Sequence, residues 1–194
     1  MSDFEFYFSY YGLLLGLSVA AVIGGLARAL NERAGARIGA LTPLLALFVL
    51  LDISSFWLTA WDTRDTLEAS WRVLFSGLAV AGTYFLAASM VFPNRDDDWP
   101  SLDDHYWARK RWVVGGVLAI NLISMTAAFI ARPPAWSDWL AWLWQAAYFA
   151  PLLALGVSRR RGLDICLLAF LILFYLVIPT GLIPESQWRQ ATAL

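Results

Sequence analysis

The chain has 194 residues, of which 60% are hydrophobic and only 15% charged, and it carries a formal net charge of −1 at pH 7. Soluble domains carry about a quarter charged residues. We therefore expect a chain this apolar to be embedded in a lipid bilayer, which is its predicted partner. The missing basic excess excludes a nucleic-acid partner, and one cysteine (Cys166) with one histidine (His105) leaves us expecting no metal site and no cofactor.

Six segments are apolar over the length that a membrane-spanning helix needs, which is about 20 residues. We predict spans over residues 7–30, 38–61, 71–92, 112–131, 136–157 and 163–182, which together form one all-α, six-helix transmembrane domain over residues 1–194. Asp3 and Glu5 precede the first span where a signal peptide would carry basic residues, so we interpret this span as a retained helix.

Basic residues alternate between the two ends of the predicted spans. One end holds ten of them: Arg28, Arg33, Arg37, Arg95, Arg109, Lys110, Arg111, Arg159, Arg160 and Arg161. The other end holds four: Arg64, Arg72, Arg132 and Arg189. Since cytoplasmic loops are rich in Lys and Arg, we predict that both termini are non-cytoplasmic, in a plasma membrane that is the inner membrane if the source is bacterial.

The first span carries small residues at a strict spacing of four: Gly12, Gly16, Ala20 and Gly24. Small residues on such a ridge let the backbone of another helix approach closely. The ridge therefore predicts a helix-packing face. We favour another helix of the same chain as its neighbour, because a six-helix bundle needs such faces, but a second copy or a membrane partner protein fits the same pattern.

The second span contains an acid at mid-depth. Asp52 lies about nine residues from the non-cytoplasmic end of this span, which is roughly 13 Å inside the hydrocarbon edge at 1.5 Å per residue. Ser55, Thr59 and Asp62 follow at offsets that place them on the same helical face. Because an intramembrane carboxylate is costly, the pattern predicts a functional site at the end of an outward-opening polar cleft.

No lysine or arginine lies at mid-depth in any predicted span, so the expected neighbours of Asp52 are neutral: Tyr84, Asn121, Ser124, Gln145 and Tyr175. A carboxyl group among neutral neighbours could bind a proton or a cation. The alternative is structural. Asp52 would then be a hydrogen-bonded link between helices, and Ser55 and Thr59 would donate to carbonyl groups of their own helix.

Two further segments are candidate sites. In the fifth span, Asp138, Trp142 and Gln145 share a face that could form a ligand cleft, although anchoring and core packing explain the tryptophan as well. Residues 94–111 are rich in acids around His105. Ser101 and Asp104 resemble a capping box there and predict a short helix leading into the fourth span. These acids lack the spacing of an EF-hand loop, so we interpret the segment as a solvated charged loop.

The functional hypothesis follows from Asp52. We expect a small transporter or channel for protons, cations or a small molecule, with Ser55, Thr59 and Asp62 lining the access route and Tyr84, Asn121 and Gln145 orienting the carboxyl group. The alternative is a non-catalytic assembly or accessory subunit that packs on a partner through the glycine ridge. An enzyme acting on lipid is the weakest hypothesis, because no nucleophile–base pair and no catalytic motif can be found.

Overall fold

The computed structural model describes residues 2–32, 39–62, 64–65, 67–68, 70–94, 99–131, 135, 137 and 139–177. This part of the chain consists of helices without strands: α1 (Asp3–Glu32), α2 (Leu41–Asp62), α3 (Trp71–Ser89), α4 (Leu102–Ala131), α5 (Trp139–Val157) and α6 (Arg161–Val177). The first five are long and apolar enough to cross a membrane, which confirms the predicted multi-pass helical bundle. Residues 178–182 of the predicted sixth span lie outside the described residues.

Capping side chains set several helix ends. At the start of α1, the amide of Glu5 donates to Ser2 Oγ and the amide of Ser2 donates to the Glu5 carboxylate, at 3.2 and 2.8 Å. This reciprocal pair is a capping box, so α1 begins four residues before the predicted span. At the start of α3, Ser70 Oγ accepts from the amide of Val73 at 3.3 Å.

The fourth helix is longer than the predicted span. The lead-in helix predicted from Ser101 and Asp104 is present, since Ser101 Oγ accepts from the amide of Asp104. This helix begins at Leu102, ten residues before the predicted span, and continues without a break to Ala131. The solvated-loop interpretation is wrong for the start of α4, where His105 and Lys110 are each only 2% exposed. A hydrogen bond from the Thr42 hydroxyl to the Leu102 carbonyl oxygen, 2.9 Å long, docks this part of α4 on α2.

The second helix is the centre of the bundle. It contacts α1, α3, α4 and α6. Half of the residues in its most apolar 18-residue stretch are buried, whereas the corresponding share in α1, α3, α4 and α5 is 17–28%. We call the end of the bundle near Asp3, Asp62 and Trp71 the N-terminal end, and the end near Arg28, Arg109–Arg111 and Arg159–Arg161 the basic end.

The glycine ridge of α1 does not pack as predicted. Only Gly12 approaches another helix, with the Trp57 side chain 3.0 Å from the position of an added Cβ atom. No described atom of another helix lies within 4 Å of such a position on Gly16 or Gly24, and Ala20 is exposed. A spacing of four turns the ridge by about 40° per step around the helix, so it leaves the buried face, which follows Tyr11, Leu15, Ser18, Val22, Gly25 and Ala29.

Candidate functional site

The carboxyl group of Asp52 lies at the centre of the bundle and is fully buried. Three tyrosine hydroxyls donate to it: Tyr148 and Tyr175 to Oδ1 at 2.6 and 2.5 Å, and Tyr84 to Oδ2 at 2.6 Å. The side-chain amide of Asn121 lies 3.3 Å from both carboxyl oxygens. We call these five residues the Asp52 cluster.

Each donor comes from a different helix. Tyr84 is on α3, Asn121 on α4, Tyr148 on α5 and Tyr175 on α6, all around the central helix α2 that carries Asp52. Five of the six helices therefore meet at one carboxyl group. The second N–H group of the Asn121 amide is also used, since this amide donates to the Val117 carbonyl oxygen at 2.9 Å and so holds its orientation along α4.

The donor set is neutral but complete for an ionised carboxylate. Both carboxyl oxygens accept from O–H and N–H groups, and distances of 2.5–2.6 Å match those of hydrogen bonds between a hydroxyl and a charged oxygen. Among the described residues, no lysine or arginine forms an ion pair with Asp52. The cluster therefore carries whatever charge the carboxyl group carries, with no lysine or arginine of the described residues paired with it.

Aromatic contacts hold the three tyrosines in place. The Tyr84 ring packs edge-on against Phe56, with ring centroids 5.0 Å apart, and the Tyr148 and Tyr175 rings meet at 82° and 6.1 Å. Phe48 packs against Tyr175 with ring centroids 6.3 Å apart, on the side of Tyr175 that faces the basic end. Packing against other rings restricts how these side chains can move, so the hydroxyls are fixed by packing as well as by Asp52.

An open cleft of about 270 Å³ lies between Asp52 and the N-terminal end of the bundle. It is formed by α1, α2, α3 and α4 together with Leu67, and Thr59, Ser76 and Ser124 provide hydroxyl groups in its wall. Aromatic rings provide much of the remaining wall, those of Tyr7, Tyr11 and Phe56. Thr59, which was predicted to line an access route, and Ser124, which was predicted to neighbour Asp52, thus both lie in this cleft.

Of the other polar residues predicted on this face of α2, two bond to their own helix and one is exposed. The Ser55 hydroxyl donates to the backbone carbonyl of Asp52 at 2.7 Å, and the Thr59 hydroxyl donates to that of Ser55 at 3.1 Å. These bonds follow the structural alternative for both side chains. Asp62 is exposed at the last residue of α2, at the N-terminal end of the bundle.

Two predicted neighbours of Asp52 are displaced along their helices. On α5 the donor is Tyr148 and not Gln145, because α5 runs away from the N-terminal end and Tyr148 lies three residues, or about 4.5 Å, deeper. On α4 the donor is Asn121, while Ser124 lies one turn nearer the cleft. The signal for Tyr148 was present in the sequence, since Tyr84, Tyr148 and Tyr175 are tyrosines near the middle of three different spans.

The weak ligand cleft predicted on α5 does not coincide with the cleft described above. Trp142 packs edge-on against Phe129 at 5.5 Å, and its Nε1 donates to the Ala135 carbonyl oxygen at 3.4 Å. These contacts fit the alternative of anchoring and core packing. Asp138 lies outside the described residues.

A second buried acid lies at the basic end, and sequence reasoning missed it. Asp164 is fully buried at the start of α6, and its Oδ2 accepts from Lys110 Nζ at 2.5 Å and from the Tyr106 hydroxyl at 2.8 Å. Lys110 Nζ also donates to the Ser158 carbonyl oxygen at 2.6 Å and lies 4.4 Å from the centroid of the Trp107 ring. We call Tyr106, Trp107, Lys110 and Asp164 the Lys110 cluster.

Comparison of the chain with protein-family models, with curated proteins and with solved structures finds no match. We therefore infer the function from the geometry of the two clusters and of the cleft.

Proposed function

We propose that this protein moves protons across the membrane, as a small transporter or channel in which Asp52 is the proton-binding group. The observation that carries the proposal is a fully buried carboxyl group at the centre of the bundle whose bonded side chains are all neutral. An acid in this position is costly to keep for packing alone, and intramembrane carboxyl groups are characteristic of proton and ion pathways.

The spacing within the cluster favours a proton over a metal cation. A sodium or calcium ion needs several oxygen ligands around a space of its own, with metal–oxygen distances of about 2.3–2.6 Å for calcium. The three hydroxyl oxygens lie directly on the carboxyl oxygens at 2.5–2.6 Å. A proton needs no such space and can enter this arrangement without moving a helix.

The hydroxyl groups also allow both protonation states. A tyrosine hydroxyl can donate one hydrogen bond and accept others. When Asp52 is ionised, Tyr84, Tyr148 and Tyr175 all donate to it. When Asp52 binds a proton, one of the three hydroxyls turns and accepts from the carboxyl group. The cluster can therefore exchange a proton through small rotations of O–H groups, with the ring positions unchanged.

The cleft supplies the side from which protons arrive. Its lining residues on α1, α2, α3 and α4 lie in the halves of these helices nearest the N-terminal end, which we predict to face the non-cytoplasmic side. Its wall contains the hydroxyls of Thr59, Ser76 and Ser124, which can hold a short chain of water molecules in a space that is otherwise lined by aromatic and aliphatic side chains. Asp62, exposed at the same end, adds negative charge that attracts cations toward the entrance.

The test is a proton-flux measurement in liposomes that contain the purified protein and a pH-sensitive dye, driven by a potassium diffusion potential. Asp52→Asn keeps the shape of the side chain and removes the titratable group, and we expect it to lower the flux by at least about tenfold, as loss of an essential acid–base group does. Asp65→Asn, an exposed acid outside the helices, is the control. Wild-type flux in Asp52→Asn would refute the proposal.

The alternative role as an assembly subunit is favoured by one observation, the uncovered ridge of α1. Gly16 and Ala20 face away from the described part of the bundle, and close helix contacts in membranes use such faces. If the ridge binds a second copy or a partner protein, a cysteine at Ala20 in a Cys166→Ser background should form a crosslinked dimer or heterodimer. A cysteine at exposed Phe85, on α3, is the control. Equal crosslinking at the two positions would exclude a specific interface.

A further inference from the structure

Phe56 lies on α2 one helical turn from Asp52, on the side of the cleft. Phe56 lines the cleft but is only 6% exposed, and its ring packs edge-on against Tyr84 at 5.0 Å and 74°. Tyr84 in turn donates to Oδ2 of Asp52. The Phe56 ring therefore stands between the open cleft and the buried carboxyl group.

The opposite side of Asp52 is closed much more deeply. Phe48, one turn away toward the basic end, is fully buried and packs against Tyr175. Beyond it the bundle is filled by apolar side chains that are at most 2% exposed: Leu45, Val49, Val113, Val117, Leu168 and Leu171. This layer extends to the Lys110 cluster. Lys110 lies 11 residues before Asn121 on α4, which corresponds to about 16 Å along the helix.

The two phenylalanines thus form a matched pair on α2. Both lie four residues from Asp52, and each contacts one of the tyrosines that bind it. They differ in what lies behind them. Behind Phe56 is a cleft of about 270 Å³ into which the ring can swing, whereas close-packed aliphatic side chains surround Phe48.

We propose that Phe56 is the gate between the cleft and Asp52, so that water and protons reach the carboxyl group from the N-terminal end when this ring swings into the cleft. The inference rests on the proposed function where it concerns proton entry. Access to the carboxyl group can nevertheless be measured without any flux.

The experiment is chemical labelling of Asp52 with a water-soluble carbodiimide and glycine ethyl ester, followed by mass spectrometry. The carbodiimide adds to the carboxyl group, and the amine of the ester then displaces the urea and leaves an amide on Asp52. Exposed Asp65 serves as the internal standard in every sample. The variants are Phe56→Ala and its matched control Phe48→Ala, both in the full chain.

We expect Phe56→Ala to raise labelling of Asp52 by about tenfold, because it removes an aromatic pair that holds the closed state. Phe48→Ala should leave labelling at the wild-type level, because the space that it creates has no connection to the cleft. Phe56→Leu should give an intermediate result, and it decides the question if Phe56→Ala does not purify as a folded protein.

Equal labelling in Phe56→Ala and Phe48→Ala, or wild-type labelling in both Phe56 variants, would overturn the gate. The result is separable from the flux test. Raised labelling in Phe56→Ala together with undiminished flux in Asp52→Asn supports the gate and rejects proton transport. Unchanged labelling in Phe56→Ala together with lost flux in Asp52→Asn rejects the gate and supports proton transport.

Discussion

Asp52 and Asp164 are both fully buried carboxyl groups, and both are bound by tyrosine hydroxyls, yet they have opposite electrostatic surroundings. Asp164 has a lysine ammonium at hydrogen-bonding distance, at the basic end of the bundle. Asp52 has three hydroxyls and an amide, and it lies at the centre. The two clusters share the helices α4 and α6, where their members are separated by 11 residues, from Lys110 to Asn121 and from Asp164 to Tyr175.

The difference shows what each arrangement can do. In the Lys110 cluster the charges balance, so a proton added to Asp164 would leave an uncompensated ammonium group in a buried position. That cluster is suited to one fixed state that holds α4 against α6. In the Asp52 cluster no described charge opposes the carboxyl group, so in the proposed function a bound proton is the balancing charge. That cluster is suited to exchange between two states.

The largest effect is expected when the ion pair is broken. Lys110→Met leaves the Asp164 carboxylate buried with only Tyr106 as a partner, and a single broken buried pair costs about 3–5 kcal/mol of folding free energy. The measurement is unfolding of the purified protein in mixed detergent micelles, with wild type and variant compared at the same protein concentration.

The double variant Lys110→Met with Asp164→Leu is the control for this prediction. Replacing both partners by apolar groups is often close to neutral, so most of the stability should return. If Lys110→Met alone is as stable as wild type, the two clusters do not differ in the way described, and Asp164 does not need its cation.

A smaller effect, but a more informative one, is expected from the tyrosines around Asp52. Tyr84→Phe, Tyr148→Phe and Tyr175→Phe each remove one donor. A hydrogen bond to a charged group contributes about 1.5–3 kcal/mol and one between neutral groups about 1 kcal/mol. The loss of stability should therefore be larger at high pH, where Asp52 is ionised, and smaller at low pH, where it has bound a proton. Unfolding measurements at two pH values test this.

Tyr10→Phe is a suitable control, since this half-buried tyrosine lies on α1 and is not part of the Asp52 cluster. Its effect should be small and independent of pH. Losses in the three cluster variants that are the same at both pH values would mean that Asp52 keeps one protonation state, and the contrast with Asp164 would then be one of partners only.

Much of the fold could be predicted because it depends on local composition. Long apolar segments separated by prolines, glycines and charges predict membrane helices, and the described helices match the six predicted segments in order. Asp52 could be singled out for the same reason, since one acid in an apolar segment is visible without any tertiary information. The helix that begins after Ser101 was predicted from a local capping signal, whereas its unbroken continuation into the fourth span and the burial of its polar residues were not.

The parts that could not be predicted depend on how helices rotate and slide against one another. Which of Gln145 and Tyr148 reaches Asp52 is decided by a shift of about 4.5 Å along α5, which lies within the error of a predicted span. The pairing of Lys110 with Asp164 joins residues 54 positions apart in the sequence. Each of them alone resembles an ordinary charged residue at the edge of a membrane span.

The unequal lengths of the helices have a consequence for how the protein sits in lipid. α1 and α4 have 30 residues each, while α3 and α5 have 19, which corresponds to about 45 Å against about 28 Å for a hydrocarbon core of about 30 Å. The long helices must tilt or project beyond the membrane, and the projecting start of α4 is where Lys110 is buried. A thinner or thicker bilayer would change this hydrophobic mismatch, and the long helices α1 and α4, the second of which carries Lys110, would have to adjust their tilt most.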